Sequence, residues 1–148
     1  MDKFKRTVGI TCSTFDLLHT GHIIMLEECK KHCDFLICAL QVDPTIDRKE
    51  KNKPIQSLVE RYIQLDAVKF VDKIIPYSTE EELLTIFTSL DLDVRIIGEE
   101  YKDKEFTAKD ICRKRGIKLV YNKREHDFST TNLRKRIYNE ESNKRFVK

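Results

Sequence analysis

Two histidines, His19 and His22, have the residue type and spacing expected of a phosphate site. They follow a short apolar segment and lead into a helical pattern. A turn between a strand and a helix exposes free backbone N–H groups, and the helix N-terminus adds partial positive charge, so the position suits phosphate. Because the two rings are three residues apart at the start of a helix, both can reach one phosphate. Gly21 between them allows a ligand or another backbone to approach closely.

The segments around this turn alternate between strand and helix patterns. The nearly continuous apolar run 34–42 is typical of a strand covered on both faces, which indicates a parallel sheet. Further strands are predicted at 7–12, 71–76, 93–98 and 117–121, with helices at 22–33, 57–70, 80–90, 106–115 and 129–138. This order predicts an α/β fold: a single Rossmann-like, doubly wound sheet of about five parallel strands flanked by helices.

Length and composition are those of one domain. The 148 residues, 40% of them hydrophobic, suffice for a single core spanning residues 1–148, and roughly the last ten residues read as a flexible basic tail. The net charge of +3 is too small to indicate a nucleic-acid partner. Neither a signal peptide nor an 18-residue apolar run is present, so the sequence predicts a cytoplasmic protein with no membrane span.

The five cysteines are odd in number and lie mostly in apolar or helical segments. This distribution is typical of reduced packing residues in a cytoplasmic protein. Cys29, His32 and Cys33 share a predicted helix, but a structural zinc site needs four ligands and no second cluster occurs in the sequence. We therefore predict no metal-ligating residues in the protein itself.

A basic loop, residues 43–54, includes Lys49 and Lys51. It follows the second predicted strand, beside the histidine turn, at the edge where open α/β sheets bind ligands. We favour the hypothesis that this loop binds a triphosphate over the alternative that its charged side chains are simply exposed to solvent. Arg61 falls in the first turn of the next predicted helix, where its charge opposes the helix dipole, so it needs a compensating partner. Phosphate is one candidate, and an ion pair with Glu60 or Asp66 is the other.

The stretch 13–22, with Phe15-Asp16 three residues before His19, resembles the HxGH signature of the nucleotidylyltransferase superfamily, and most closely its cytidylyltransferase branch. Gly98-Glu99-Glu100-Tyr101 is similar to the Gly-Asp-Asp-Trp that lies under the base and ribose in that branch. Arg124 followed by Ser129-Thr130-Thr131 resembles its Arg-Thr-Glu-Gly-Ile-Ser-Thr-Thr signature. The resemblance extends to about Tyr138.

The resemblance implies roles for individual residues. His19, His22, Arg124 and Lys49 are the expected catalytic residues. The expected nucleotide-binding residues are Thr14, Phe15, Asp16, Gly21, Lys51, Arg61, Gly98, Glu100, Tyr101, Ser129, Thr130 and Thr131. For Asp16 we slightly favour a structural role over a contact to metal through water. The resemblance also implies Mg²⁺, bound mainly through the nucleotide phosphates, and a homodimer.

Three positions depart from the family pattern. Ser13 replaces a glycine, and its side chain could crowd the nucleotide phosphates. Glu125-His126-Asp127 changes the middle of the last signature, where the second substrate would be contacted. Lys69 replaces an arginine and gives up bidentate phosphate geometry.

The expected reaction is the transfer of CMP from CTP to a small phosphorylated alcohol or sugar. Glycerol 3-phosphate is the favoured acceptor, and the products would be CDP-glycerol and pyrophosphate. One alternative is an adenylyltransferase that uses ATP with a sugar phosphate, as in ADP-heptose synthesis, or with FMN. Another is a nucleotide-binding regulator without catalysis, which only Ser13 favours. Nucleic-acid binding by the basic C-terminal segment ranks last.

Overall fold

In the computed structural model, which describes residues 5–145, strands and helices alternate along the chain. The strands are β1 (Val8–Ser13), β2 (Phe35–Gln41), β3 (Lys73–Tyr77), β4 (Val94–Gly98) and β5 (Lys118–Asn122). The helices are α1 (Thr20–Lys30), α2 (Leu58–Asp66), α3 (Glu80–Ser89), α4 (Lys109–Arg115) and α5 (Thr130–Lys144), and a 3-10 turn spans Glu99–Tyr101. All pairings are parallel, in the order β3-β2-β1-β4-β5. The predicted fold class is confirmed.

The central strand β1 lies where the order of the sheet reverses. It pairs with β2 on one side, through Val8 opposite Phe35, and with β4 on the other, through Ile10 opposite Arg95. Connections from β1 and β4 leave in opposite directions at such a point, which opens a crevice beyond the carboxyl ends of the strands. The turn that carries the histidines starts at this crevice.

The sheet is covered on both faces. Leu26, Leu36 and Leu65 belong to the core on the side of α1 and α2, and all three are fully buried. Phe87 and Cys112 belong to the core on the side of α3 and α4. This double burial explains why the strands are apolar along their whole length rather than alternating.

Several element boundaries differ from the predicted ones. Helix α1 begins at Thr20, two residues earlier than expected, because His19 caps it. Helix α2 ends at Asp66 rather than residue 70, and the backbone N–H of Asp72 then bonds the carbonyl of Leu36 as the chain enters β3. Helix α4 begins at Lys109, three residues late, because Ala108 adopts a left-handed backbone conformation (φ 69°).

Helix α5 continues to Lys144, beyond the predicted end at residue 138. The first part of the expected flexible tail is therefore helical, and residues 146–148 lie outside the described part of the chain. The helix contains no buried residue, so its outer turns are held by its own backbone hydrogen bonds. Within residues 5–145, no helix combines the length and the apolar character that crossing a membrane requires.

Arg61 is buried beneath the crevice, where only 2% of it is exposed. Its Nε donates to the carbonyl of Gln56, its Nη1 to the carbonyls of Thr14 and Gln41, and its Nη2 to that of Val42. Four of its five N–H donors are therefore bound to backbone. The predicted phosphate contact is wrong, and so is the ion pair with Glu60 or Asp66, because carbonyl groups from three loops compensate the unfavourable helix position.

Replacing Arg61 with Met should lower the free energy of unfolding by at least about 3 kcal/mol, because it strands several carbonyls that Arg61 now satisfies. Urea denaturation at neutral pH measures the loss. Arg113→Met, at an exposed position of α4, is the matched control and should stay within about 0.5 kcal/mol of the wild type. Equal stability of the two variants would contradict the role of Arg61 in binding these backbone carbonyls.

Candidate active site

The turn between β1 and α1 has an unusual backbone. Phe15 (φ 49°) and Leu17 (φ 51°) both occupy the left-handed region, where residues other than glycine are rare. The Phe15 side chain is fully buried, and its ring lies 5.7 Å from the ring of His22. No part of Phe15 is exposed for the nucleotide contact predicted for it, so the residue supports the turn from inside the protein. The Ser13 hydroxyl accepts a hydrogen bond from the Phe15 N–H at 3.4 Å, so Ser13 supports the turn.

Asp16 ties this turn to the end of the basic loop. Its two carboxylate oxygens accept hydrogen bonds from the backbone N–H groups of Ile55 and Gln56, at 2.9 and 3.0 Å. In return, the Gln56 side chain accepts a hydrogen bond from the N–H of Leu17 at 2.8 Å. Only 5% of Asp16 is exposed. These contacts agree with the structural role that we favoured for this residue over a metal contact.

His19 and His22 are bound to the helix start by reciprocal hydrogen bonds. His19 Nδ1 accepts from the N–H of Gly21 at 3.0 Å, and His22 Nδ1 accepts from the N–H of His19 at 3.1 Å. A neutral imidazole that accepts at Nδ1 carries its proton on Nε2. Both rings, whose centroids are 4.0 Å apart, therefore present an Nε2–H donor away from the helix. His19 Nε2 lies 3.2 Å from Thr130 Oγ1.

The surroundings favour the neutral form of both histidines. Burial lowers the pKa of His22 from 6.5 to about 3, and the neighbouring charges of His19 and Arg124 act in the same direction. Burial also lowers the pKa of His19, with further contributions from His126 and Arg124. Before a ligand binds, the pair is therefore a set of neutral hydrogen-bond donors beside a cationic arginine.

Gly21 is required by close packing at the same place. A Cβ on it would lie 2.9 Å from a carbon of the His19 ring, 3.0 Å from a carbon of the His126 ring and 3.0 Å from the carbonyl oxygen of Phe128. Because one of these neighbours is backbone, a larger residue would push the loop before α5 away from α1. The predicted close approach at Gly21 is thus made by the protein's own C-terminal segment.

The two histidines line a cleft of about 880 Å³, which we call the histidine cleft. The structure brings most of the predicted site residues together here: Thr14, His19, Gly21, His22, Gly98, Glu100, Tyr101, Arg124, Ser129, Thr130 and Thr131 all line it. Ser129 caps α5 through a bond from the N–H of Asn132, so the N-terminus of that helix faces the cleft. Thr130 Oγ1 also bonds the carbonyl of Asp16, which joins this helix to the histidine turn.

An adjoining space of about 590 Å³, the second cleft, lies on the side of α3 and α4 and is lined by Gln41, Lys51, Tyr77 and Arg95, among others. Eight residues line both clefts and therefore mark their junction: Cys12, Ser13, Thr14, Arg95, Ile97, Tyr101, Thr130 and Thr131. Lys51 is in the predicted place at the second cleft. Lys49, predicted to be catalytic, is exposed and lines neither cleft.

Three arginines at the second cleft were not among the predicted site residues: Arg48, Arg95 and Arg134. Arg48 belongs to the basic loop and pairs with Glu80 at 2.9 Å. Arg134 lies one turn into α5, beyond the matched signature. For Arg95 a signal was available, since it is a charged residue inside the apolar strand Val94–Gly98.

The His22 environment predicts a pH dependence of stability. Because the unfolded chain takes up a proton near pH 6.5 and the folded one only near pH 3, the stability associated with this group is complete above 6.5 and is lost as the pH falls between these values. Replacing His22 with Asn keeps an acceptor close to the Nδ1 position but removes this titration. The loss of unfolding free energy between pH 7 and pH 5 should then be about 2 kcal/mol smaller in His22→Asn than in the wild type. Urea denaturation at both pH values measures it, and ring signals of His22 that titrate near pH 6.5 in NMR spectra would contradict the explanation.

Comparisons with known proteins agree with this geometry. The cytidylyltransferase-like family model matches residues 10–136. Glycerol-3-phosphate cytidylyltransferase of Bacillus subtilis (strain 168) is 34% identical over 128 residues, covering 86% of this chain and 95% of that protein. The bifunctional protein HldE of Paramagnetospirillum magneticum is 31% identical over 141 residues, but these are 93% of this chain and only 29% of that protein.

Among solved structures, the lipopolysaccharide core biosynthesis protein from Thermoplasma volcanium GSS1 superposes with a TM-score of 0.64 at 25% identity, covering 83% of this chain and 100% of that one. The family match includes both the histidine turn and the segment that leads into α5. Fold, site geometry and sequence similarity thus agree: the chain belongs to the cytidylyltransferase-like family and is a nucleotidyltransferase enzyme.

Proposed function

We propose that the protein transfers CMP from CTP to a small phosphomonoester, with glycerol 3-phosphate as the acceptor, and releases pyrophosphate. The observation that carries the proposal is the pair of imidazoles fixed at Nδ1, with both Nε2–H donors beside Arg124 in the histidine cleft. The similarity to glycerol-3-phosphate cytidylyltransferase, over nearly the full length of both chains, supports this acceptor.

In this reaction an oxygen of the acceptor phosphate forms a bond to the α-phosphorus of CTP. The bond between that phosphorus and the oxygen that bridges to the β-phosphate breaks, and pyrophosphate leaves with the electron pair. The nucleophile is already anionic, so the site needs alignment and charge stabilisation rather than a strong base. Neutral His19 and His22 are suited to donate from Nε2 to the α- and β-phosphate oxygens, where charge accumulates.

The segment that ends the cytidylyltransferase signature faces the leaving group. Arg124 supplies a cation, while Ser129 and Thr130 are placed at the N-terminus of α5, where backbone N–H groups and the helix dipole favour a phosphate. Because Thr130 Oγ1 contacts His19 Nε2 at 3.2 Å, the arriving phosphate would take over this donor. The turn and α5 thereby act on the same phosphates.

The part of the histidine cleft next to β4 suits the nucleoside. Gly98, Glu100 and Tyr101 line it just beyond β4. A Cβ on Gly98 would overlap the carboxylate of Glu100, so the glycine leaves room for this side chain to fold back. On the other side of the junction, Lys51 would neutralise the acceptor phosphate as it approaches from the second cleft.

The donor set fits a magnesium ion that arrives with the nucleotide rather than one held by the protein alone. Both carboxylate oxygens of Asp16, the acid nearest the histidine turn, are bound to backbone N–H groups. Mg²⁺ commonly retains water and nucleotide phosphates as ligands. When bound, the ion would neutralise the triphosphate, while the histidines and Arg124 orient it.

A second candidate is adenylyl transfer to a sugar phosphate, which the similarity to the bifunctional protein HldE favours. The chain spans less than a third of that relative, so the similarity concerns one part of it. Pyrophosphate release, measured with CTP or ATP and with glycerol 3-phosphate or a heptose 1-phosphate, separates the two. Turnover of CTP with glycerol 3-phosphate is the expected result, and turnover of ATP with the sugar phosphate alone would replace our proposal with the second candidate.

We also propose that the protein works as a homodimer, as the family resemblance implies. Exposed apolar side chains on α2, namely Val59 (66%), Tyr62 (40%) and Ile63 (63%), support an interface on this helix. Light scattering after size-exclusion chromatography should give twice the chain mass of 17.6 kDa. A monomer at working concentration would contradict the dimer but not the chemistry.

Substitutions of His19 should separate its capping role from catalysis. His19→Asn retains a capping oxygen and removes the Nε2 donor, so we expect kcat to fall by about 100-fold to 1,000-fold while KM for CTP changes by less than about 3-fold. His19→Ala should additionally lose about 1 kcal/mol of stability. Steady-state kinetics and thermal melts measure both effects.

Ser57→Ala provides the matched control, because Ser57 caps α2 in the same manner but lines neither cleft. It should lose comparable stability and keep the wild-type kcat. Near-normal turnover by His19→Asn would remove His19 from the mechanism.

A further inference from the structure

Two buried polar side chains of the second cleft have no partner in the described part of the chain. Gln41 is the last residue of β2 and Tyr77 the last residue of β3, and they lie opposite each other in the sheet. Only 7% of Gln41 and 5% of Tyr77 is exposed. Within residues 5–145, both take part in hydrogen bonds through their backbone only. Buried polar side chains normally have partners, so these two are available to a ligand.

The unpaired polar atoms of Gln41 and Tyr77 open into the cleft. Among the buried and half-buried residues of 5–145, Arg95 Nε is the only side-chain nitrogen or oxygen that is both enclosed and unpaired. The amide of Gln41 and the hydroxyl of Tyr77 are unpaired but not enclosed, and both residues line the second cleft. Burial raises the pKa of Tyr77, so its hydroxyl keeps the proton. A carboxamide and a phenol can each donate and accept, which suits them to bind alcohol groups.

The carboxyl edge of the sheet leads from the junction of the clefts to these two side chains. Ser13, at the junction, ends β1 and is opposite Leu40, the residue before Gln41. Neighbouring strands are about 5 Å apart, so Gln41 lies about one strand and Tyr77 about two strands from Ser13. A three-carbon chain, with bonds of about 1.5 Å, extends over about one strand spacing. An acceptor with its phosphate at the junction can therefore bring its hydroxyl groups to this part of the cleft.

The charged residues of the second cleft suit a phosphate but not an ammonium group. Lys51 and Arg134 contribute positive charge to the lining. Within the described chain, three acidic residues line this cleft, and each already has a partner: Asp16 binds two backbone N–H groups, Glu80 pairs with Arg48, and Glu105 pairs with Lys109. No carboxylate of this lining is thus left for a cationic acceptor, and the groups that remain unpaired are neutral.

We propose that Gln41 and Tyr77 form a subsite, the hydroxyl subsite, that selects phosphorylated polyols by binding their hydroxyl groups. The proposal rests on the nucleotidyl transfer proposed above and assigns its acceptor specificity to these two residues. The hydroxyl groups of glycerol 3-phosphate supply both side chains with the partners that they lack in the free protein. An acceptor with an apolar chain leaves both side chains buried and unpaired, and this cost discriminates against it.

The test compares glycerol 3-phosphate with propyl phosphate, which has the same three carbons and no hydroxyl group. For the wild type with CTP, we expect kcat/KM from pyrophosphate release to be at least about 30-fold higher for glycerol 3-phosphate. Tyr77→Phe removes one oxygen, and Gln41→Met removes the amide while keeping a long side chain. Each should lower kcat/KM for glycerol 3-phosphate by about 5-fold to 20-fold, mainly through the KM of the acceptor, and change that for propyl phosphate by less than about 3-fold.

Tyr138→Phe is the matched control, because it loses the same oxygen from a tyrosine of α5 that is 72% exposed and lines neither cleft. It should retain the wild-type preference. Equal use of the two acceptors by the wild type would overturn the proposal, and so would a loss in Tyr77→Phe that is the same for both acceptors.

Urea denaturation adds a readout that a structural role would change. Neither Gln41→Met nor Tyr77→Phe should lower the urea midpoint, because neither side chain has a hydrogen-bond partner to lose in the free protein. A lower midpoint in both variants would mean that these groups are bound within the protein, which also contradicts the subsite.

Ethanolamine phosphate, which ends in an ammonium group, tests the class of acceptor. Since each lining carboxylate is already paired, kcat/KM for this compound should be at least about 10-fold below that for glycerol 3-phosphate. A preference for ethanolamine phosphate would rule out a subsite for neutral hydroxyl groups.

Calorimetric titration of glycerol 3-phosphate into the wild type and Tyr77→Phe, each with CTP present in the absence of Mg²⁺, distinguishes failure of this inference from failure of the proposed function. If no acceptor yields pyrophosphate with CTP, the proposed function fails, yet weaker binding of glycerol 3-phosphate to Tyr77→Phe would still support the hydroxyl subsite. Equal binding to both proteins, or binding to neither, would exclude the subsite.

Discussion

The reciprocal hydrogen bonds between the imidazoles and the backbone of α1 are the constraint on which the active site depends. An N-cap is normally a short hydroxyl, amide or carboxylate side chain, and here an imidazole takes that place. Because each Nδ1 is occupied by a backbone N–H, the tautomer of each ring and the direction of each Nε2–H are fixed by the same bonds that start the helix. The same hydrogen bonds thus start the helix and orient the N–H groups that would donate to phosphate.

The crevice beyond the strands is held by buried polar anchors rather than by apolar packing alone. Arg61 gathers the carbonyls at the ends of β1 and β2, and Asp16 fixes the backbone that follows the basic loop. One anchor is a cation bound to carbonyls and the other an anion bound to N–H groups, so both kinds of backbone group find partners where the chain leaves the sheet. The loops that a substrate must contact are thereby attached to the sheet at defined points.

Much of the fold could be predicted from the pattern of apolar and polar residues, whereas the contacts of individual side chains were less predictable. Unbroken apolar runs such as 34–42 indicated a parallel sheet covered on both faces, and the resemblance to the family signatures indicated that Arg124 and Ser129 cluster with the histidines.

Arg61 shows the limit of sequence-based prediction. Its position in the first helical turn correctly indicated a compensating partner, but the sequence contains no information about which carbonyls converge on it. The sequence gives no reason to distinguish Lys49 from Lys51, because both are lysines of the same loop. Only the path of the loop in the structure places Lys51 at a cleft. Arg95 was visible as a charge inside an apolar strand, and that anomaly, rather than any motif, was the available signal.

The two residues with left-handed backbone conformation in the histidine turn affect both the stability of the protein and the entropic cost of ligand binding. Phe15 and Leu17 occupy conformations that glycine would adopt without strain, at a cost of order 1 kcal/mol each, and the burial of the Phe15 ring offsets it. A glycine turn would have been less strained but would also have left more conformational freedom to be lost when a ligand arrived. Because Phe15 and Leu17 are bulky, this turn becomes ordered when the chain folds. The entropic cost of ordering the turn therefore lowers the stability of the folded protein and does not lower the affinity for the ligand.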